Sequence, residues 1–182
     1  VAKDSHCSSC GAPFGAAPGW PRTCGNCGAV SYRNPLPVAV ALLPVRGPGD
    51  APDGRGGGLL VIRRAIPPSI GELALPGGFM DVGESWQRAV VRELSEETGI
   101  EVPAAEVTLA DALTDEDGGY LLLFGLLPAL DAADLPPSAP TDETEGHHIL
   151  AAAAELGFPL HTLAARRWFD GAYDALPRTR TR

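Results

Sequence analysis

The sequence predicts an α+β chain: an α/β/α layered sandwich around a mixed sheet, preceded by a small cysteine-rich ribbon. Three observations lead there. All four cysteines fall in the first 27 of 182 residues, as two Cys-x-x-Cys pairs. Apolar runs of strand length stand on both sides of one long stretch, Glu84 to Thr98, that holds no Gly or Pro. A second helical pattern, from Leu160 to Tyr173, comes near the C-terminal end. Strands before and after one helix, followed by another helix, suit a sheet covered on both faces. A chain of 182 residues with 45% hydrophobic and 20% charged side chains has material for one packed domain and a small appendage.

The ribbon comes first. In Cys7-Ser8-Ser9-Cys10 and Cys24-Gly25-Asn26-Cys27 each pair can set two thiolates on one side of an ion. Gly11 and Gly28 follow the second Cys of each pair, where the chain must turn tightly. The alternative is two disulfides. The sequence shows neither a basic-then-apolar leader nor an apolar run of membrane-span length, so it reads as a soluble, cytoplasmic protein whose thiols stay reduced. Four protein ligands make a closed, structural site with no position for substrate. The expectation is a zinc ribbon over residues 1–34 with Zn2+ as its ion, iron being the other metal that accepts four thiolates.

Composition changes after Tyr32-Arg33-Asn34-Pro35, which places a main domain at 35–176. Pro37–Val45 is apolar and rich in Val and Leu, a buried strand. Residues 46–58 hold Gly, Pro and Asp and read as an excursion before the returning strand Leu59–Arg64. Residues 66–78 form an irregular loop with one short strand around Leu73–Leu75. The helix Glu84–Thr98 ends at Gly99. Val102–Leu113 and Tyr120–Leu127 are strands joined by the acidic turn Asp115–Gly119. Pro128–Thr144 reads as a loop and His147–Ala153 as a last strand. In the second helix Leu160, Leu163, Ala164 and Trp168 recur at helical spacing. Residues 177–182 form a basic tail. No internal repeat is present.

Fourteen Lys and Arg against 23 Asp and Glu leave a net charge of -9. Such a surface repels polyphosphate chains, and the ribbon offers only Lys3, Arg22 and Arg33 as basic residues, so nucleic acid is disfavoured as a partner.

The chemistry concentrates in Gly77–Ile100, GGFMDVGESWQRAVVRELSEETGI. On a helix Glu93, Glu96 and Glu97 stand at i, i+3 and i+4 and share a face. Like charges at that spacing repel unless something neutralises them, and hard divalent cations with oxygen ligands are the natural partner. Val90, Val91 and Leu94 adjoin that face and can anchor the helix on a sheet. Arg92, four residues before Glu96 and eight after Glu84, reads as an ion-pair strut. A plain solvated acidic face is the competing reading.

The order of these residues decides between them. Gly78, then Glu84, then Arg92-Glu93-Leu94-Ser95-Glu96-Glu97-Thr98-Gly99-Ile100 fills every fixed position of the signature Gly, five residues, Glu, seven residues, Arg-Glu-apolar-x-Glu-Glu-x-Gly-apolar. The chain thereby resembles the Nudix hydrolases, and the strand order around the motif resembles their fold. The resemblance implies hydrolysis of a nucleoside diphosphate linked to another group, with Mg2+ or Mn2+ required. It makes Glu93 and Glu97 the principal metal ligands, Glu96 a further or water-mediated one, and the Gly77 carbonyl part of the metal shell. Gly78, Glu84 and Arg92 become structural support that aims Glu93. The general base lies in the box or downstream, where Glu143 and Glu145 are the candidates, Glu145 preferred.

A ribbon before such a domain resembles NADH pyrophosphatases, but their Ser-Gln-Pro-Trp-Pro-Phe-Pro array is absent. Tyr32-Arg33-Asn34-Pro35, Ile66–Gly71 and Leu75-Pro76-Gly77-Gly78 resemble the shorter ribbon-bearing members, among them FAD and ADP-ribose pyrophosphatases. The Pro that ADP-ribose hydrolases often place past the box is missing from Asp115–Gly119. ADP-ribose, FAD or a related dinucleotide, cleaved to release AMP, is therefore the expected small-molecule substrate. NADH or nucleoside triphosphate pyrophosphohydrolysis, or a non-catalytic nucleotide- or nucleic-acid-sensing module, are the alternatives. Arg63 and Arg64 at a strand end are the candidate phosphate-binding cations. Phe79 and Tyr120 are read as core aromatics, with base stacking as their other role. His147 and His148, adjacent in a strand, should face opposite ways. The resemblance is compatible with a homodimer.

Overall fold

The computed structural model describes residues 4–15, 19–50 and 57–176. The basic tail 177–182 and part of the Gly/Pro excursion, 51–56, lie outside the described residues. The chain divides into two compact units, Val1–Pro35 and Leu36–Arg182. The first holds an antiparallel hairpin, β1 (Arg22–Thr23) with β2 (Val30–Ser31), and an isolated bridge between His6 and Pro13.

In the second unit the strands form two mixed sheets. One has the order β7 (Gly77–Phe79), β3 (Leu36–Leu42), β9 (Tyr120–Leu126), β8 (Thr108–Thr114), with β3 parallel to β9 and the other neighbours antiparallel. The other runs β10 (Leu130–Asp131), β4 (Pro44–Arg46), β5 (Gly58–Arg64), β11 (Thr144–Leu150), with β6 (Leu73–Ala74) also on β5. The apolar run expected as one strand over Pro37–Val45 is thus two strands in different sheets. The Leu42 carbonyl accepts from Leu127, whereas the next carbonyl, that of Leu43, accepts from Leu60. Pro44 has no N–H with which to continue the first ladder, and the chain changes sheets there.

Two helices cover the layer. The first, α1 (Trp86–Thr98), starts two residues later than its pattern suggested, because Ser85 caps it by accepting the Arg88 N–H. It ends where Gly99 takes φ 74° and returns its N–H to Ser95. Its Ala89, Val90 and Leu94 are buried against Ala39, Ala41, Leu43 and Leu60. The second, α2 (Pro159–Phe169), buries Ala164, Ala165 and Trp168 against Val40, Leu42, Leu59, Val61 and Phe124. Odd positions of β3 therefore meet α1 and even positions meet α2, as the twofold period of a strand requires of a layer buried on both faces. Arg167 of α2 pairs with Asp111 of β8, which also accepts from the Tyr173 hydroxyl at 3.0 Å.

Other boundaries differ from the sequence pattern. Residues 102–107 are not strand: a 3-10 turn, Ala104–Glu106, follows Pro103, and β8 begins only at Thr108. The segment expected as loop over Pro128–Thr144 contains β10 and the 3-10 turn Ala132–Asp134. The last strand begins at Thr144 and ends at Leu150, before the alanines, which pack poorly on a pleated surface. α2 stops at Phe169, followed by Asp170 and a left-handed Gly171.

α1 also comes close to the sheet at Gly125 of β9, where an added Cβ would lie 3.0 Å from Val90 Cγ2, and 2.6 Å from Cγ1 of Val107 beyond the helix. Gly125→Ala should overpack this contact and lower unfolding free energy by about 1–3 kcal/mol. Urea denaturation would measure it, and an unchanged midpoint would show that α1 is not seated on β9.

Candidate functional site

The site is built where α1 faces the free edge of β7. Ala41 donates to Pro76 and Met80 donates to Pro37, with Ala39 opposite Gly78 between them. In an antiparallel pair this register turns the polar groups of Gly78 toward β3 and those of Gly77 away from it. The Gly77 N–H accordingly donates to Glu97 Oε2 at 2.9 Å, and the Gly77 carbonyl is directed to the same open edge. Beside it, Gly78 makes room for a carboxylate: a Cβ there would lie 2.6 Å from Glu93 Cδ and from both its oxygens. No side chain fits between that strand and Glu93.

Glu93 and Glu97 are buried, at 8% and 3% exposure, while Glu96 is exposed. Arg92 stands among the acids and uses all five of its N–H donors. Nε and Nη2 form a bidentate pair with Glu84 at 3.2 and 2.7 Å, Nη1 reaches Glu93 at 2.7 Å and Glu96 at 3.0 Å, and Nη2 also donates to the Phe79 carbonyl at 3.0 Å. Glu84 in turn accepts the Asp81 N–H. The guanidinium, with that N–H, holds the Glu84 carboxyl below its usual range, and Glu84 chiefly raises the pKa of Arg92.

The other two carboxyls move the opposite way. Burial raises Glu93, despite Arg92. Burial raises Glu97 to about 8, helped by the charges of Glu93 and Glu143 and opposed by the Gly77 N–H. Two buried carboxylates with more negative than positive charge around them, all oxygen donors, have the chemistry of a hard divalent cation site. The donors do not yet converge: among the described residues, the cysteines alone bring three or more such ligand atoms within 4.8 Å of one another. Arg92 draws Glu93 and Glu96 to itself instead.

Of the downstream acids, Glu143 is the one whose charge acts on both Glu93 and Glu97. Glu145 is exposed, one residue into β11. The intervening Thr144, fully buried, donates its hydroxyl to the Glu97 carbonyl at 3.3 Å, a tie between β11 and α1 that no sequence pattern announced. Arg63 donates to the Gly71 carbonyl at 2.6 Å. Arg64 donates to the Pro68 and Ile66 carbonyls and lies over the Phe158 ring. Both guanidinium groups thus hold the loop that leads into the site. Phe79 and Tyr120 are exposed, at 56% and 42%, with ring centroids 6.0 Å apart, so the core role expected of them does not hold. Phe79 is the last residue of β7 and Tyr120 the first of β9. His147 is buried and His148 exposed, on opposite faces, and the Nδ1 of His147 has no hydrogen-bond partner among the described residues.

In the N-terminal unit the cysteines form a second cluster. Cys7 and Cys24 begin two matching turns: each accepts from a left-handed glycine, Gly11 or Gly28, and donates its N–H to the following alanine, Ala12 or Ala29. Cys7 and Cys27 Sγ are 3.8 Å apart, Cys10 and Cys24 Sγ 3.7 Å, and all four thiols are free. A tetrahedron with metal–sulfur bonds of about 2.3 Å has edges of about 3.8 Å, so the set fits Zn2+ and not disulfides. The N–H groups of Ser9 and Cys10 lower the Cys7 thiol to about 6, favouring the thiolate a metal needs.

A family model described as the NUDIX domain matches residues 35–173. Over 42 residues, 23% of the chain, the sequence is 52% identical to an ADP-ribose pyrophosphatase of Methanocaldococcus jannaschii, and the match takes in 25% of that protein. Over 63 residues, 34% of the chain and 43% of the relative, it is 41% identical to a Mycobacterium tuberculosis protein provisionally named an 8-oxo-dGTP diphosphatase. These matches span less than half the length of either curated relative. A NUDIX hydrolase structure from Nitrosomonas europaea superposes with a TM-score of 0.66 at 21% identity, covering 97% of this chain and 96% of that one, a likeness of fold.

A raised carboxyl pKa makes stability depend on pH. Glu97 ionises at its ordinary 4.5 when unfolded and near 8 when folded, so its contribution is complete below about 4.5 and lost as pH rises through 8. Without divalent ions, melting temperatures of the protein minus those of Glu97→Gln should therefore fall between pH 5 and 8. Parallel profiles would contradict the buried, uncompensated carboxyl.

Proposed function

Because the chain belongs to the NUDIX family, we propose that it is a divalent-metal-dependent pyrophosphohydrolase acting on a nucleoside diphosphate linked to another group, with ADP-ribose, FAD or a related dinucleotide as substrate and AMP as one product. The observation that carries this reading is the buried pair Glu93 and Glu97 beside the open Gly77 edge, with too little positive charge to balance it. Glu93, Glu97 and the Gly77 carbonyl would hold Mg2+ or Mn2+, with Glu96 supplying a further or water-mediated contact once it leaves Arg92. When bound, the ion neutralises pyrophosphate charge and makes a coordinated water more acidic.

The chain's own groups do the rest. Arg92, fixed by Glu84, orients Glu93, and Gly78 keeps the approach to that carboxylate clear. Glu145 and Glu143 are the downstream candidates for the base, and the charge of Glu143 acts on the Glu93–Glu97 pair. Arg63 and Arg64 border the loop before β7 and remain the candidate phosphate-binding cations, each with N–H groups beyond those given to the loop. In the ribbon, Cys7, Cys10, Cys24 and Cys27 hold structural Zn2+. The ADP-ribose preference draws on the match to the Methanocaldococcus jannaschii protein, and the Mycobacterium tuberculosis match favours nucleoside triphosphates as the second reading. No described helix is long and apolar enough to cross a membrane.

Purified protein with Mg2+ or Mn2+, tested by product chromatography on ADP-ribose, FAD, NADH, diadenosine polyphosphates and nucleoside triphosphates including 8-oxo-dGTP, should release AMP from one dinucleotide well above the rest. Glu97→Gln should lower that rate by at least about 100-fold while keeping the native fold. Turnover by the variant at the wild-type rate would sink the metal-site assignment, and silence of the wild type across the panel would favour a nucleotide-sensing module.

Chelation of Zn2+ should raise hydrogen exchange in residues 4–34 before the rest of the chain loosens. Exchange that rises uniformly along the chain would contradict a self-contained ribbon.

A further inference from the structure

α2 begins against the stretch of chain that leads into β7. Ser69 Oγ donates to the Gly157 carbonyl at 2.9 Å, the Gly157 N–H donates to Leu73 at 2.8 Å, and the Leu75 N–H donates to Nδ1 of His161 at 3.2 Å. The last bond is unlike the others. Leu75 lies between β6 and β7, outside either ladder, and its amide is satisfied by a side chain 86 residues away. An N–H can be accepted only by a ring nitrogen with a free lone pair, so His161 is the neutral tautomer that carries its proton on Nε2.

The surroundings keep it so. The ring is 6% exposed, edge-on to Phe124 at 6.1 Å and tilted against Phe158 at 5.0 Å. Burial, and then the positive charge of Arg64, push its ionisation down to about 3, so the acceptor persists at any working pH. A polar ring in an apolar cluster is stabilising only where its bond is made.

From this bond to the site the backbone has little freedom. Leu75 is fixed by His161; Pro76 has a locked φ and its carbonyl accepts from Ala41 at 2.8 Å; the Gly77 N–H is held by Glu97. We propose that His161 is a positioning residue for the Gly77 carbonyl: by anchoring the Leu75 amide it aims that carbonyl into the divalent-metal site, an inference that rests on the metal-dependent hydrolase reading above. His161 touches neither metal nor substrate. It acts through the segment Leu75–Pro76–Gly77.

The test uses the full chain and four variants. His161→Leu and His161→Ala remove the acceptor, the first while filling the space. His161→Asn can offer an amide oxygen near the position of Nδ1. Trp168→Phe perturbs the same apolar cluster on a later turn of α2. Mn2+ affinity is read from the electron paramagnetic resonance of the free ion, alongside melting temperature, exchange of the Leu75 amide and hydrolysis of the best panel substrate.

The Leu and Ala variants should bind Mn2+ at least about 10-fold more weakly, as loss of an outer-shell partner does, with the Leu75 amide exchanging faster. Asn should recover most of both, and Trp168→Phe should lower stability with Mn2+ affinity unchanged. Wild-type affinity in a folded Leu or Ala variant, or an Asn variant no better than these, overturns the positioning role alone. A wild type that neither binds Mn2+ nor hydrolyses any substrate overturns the hydrolase reading and the positioning role with it.

Discussion

Glu84, Glu93, Glu96 and Glu97 lie on one loop and one helix, and a single guanidinium, that of Arg92, stands among the first three. Without it α1 would carry like charges at i, i+3 and i+4, an arrangement that opposes its own helix. Arg92 resolves this with a fixed fork: its five donors each have an acceptor, two of them on Glu84. A lysine, with three donors on a flexible stem, could not make that set. The compensation is incomplete, because Glu97 lies beyond its reach and is held by a backbone N–H instead. The site therefore keeps a buried acid raised toward neutral pH, and that residual imbalance is what a divalent cation would remove.

The fold serves this imbalance by supplying an edge. Strand β7 is the border of its sheet, so the polar groups of Gly77 have no strand to pair with and face α1. Edge strands usually need protection from unwanted pairing, and here a helix bearing carboxylates covers the edge. Two glycines in succession do different work: Gly77 is pressed against β3, where a Cβ would lie 2.5 Å from the Ala39 carbonyl, and Gly78 against the Glu93 carboxylate. The rest of the architecture keeps these parts still. The apolar faces of α1 and α2 lock opposite sides of β3, and the start of α2 braces the loop that enters β7.

Much of this could be read in the sequence, and the parts that could not share a cause. Gly77, Gly78 and Glu84, on β7 and the loop before α1, were legible only through the signature they complete, whereas Glu93, Glu96 and Glu97 lie within five residues, so helical spacing alone groups them. The matching cysteine pairs were legible for the same reason, since each turn is closed within six residues. What escaped depends on partners far apart in sequence. Pro44 marks where the first ladder stops, but that the apolar run then joins another sheet depends on distant partners, Leu127 for the Leu42 carbonyl and Leu60 for that of Leu43. The bond that ties β11 to α1 joins Thr144 to Glu97, 47 residues away. Phe79 and Tyr120 look like core residues in any apolar count, yet they stand exposed at the end of β7 and the start of β9. His161 sits in an ordinary amphipathic helix pattern, and only its bond to Leu75 distinguishes it.

The most direct test of the account is a crystal structure of the protein grown with Mn2+, with the ion located by its anomalous scattering. The ion should be bound by Glu93, Glu97 and the Gly77 carbonyl, with Arg92 still paired to Glu84. An ion found elsewhere, with none at Glu93 and Glu97, would contradict the account.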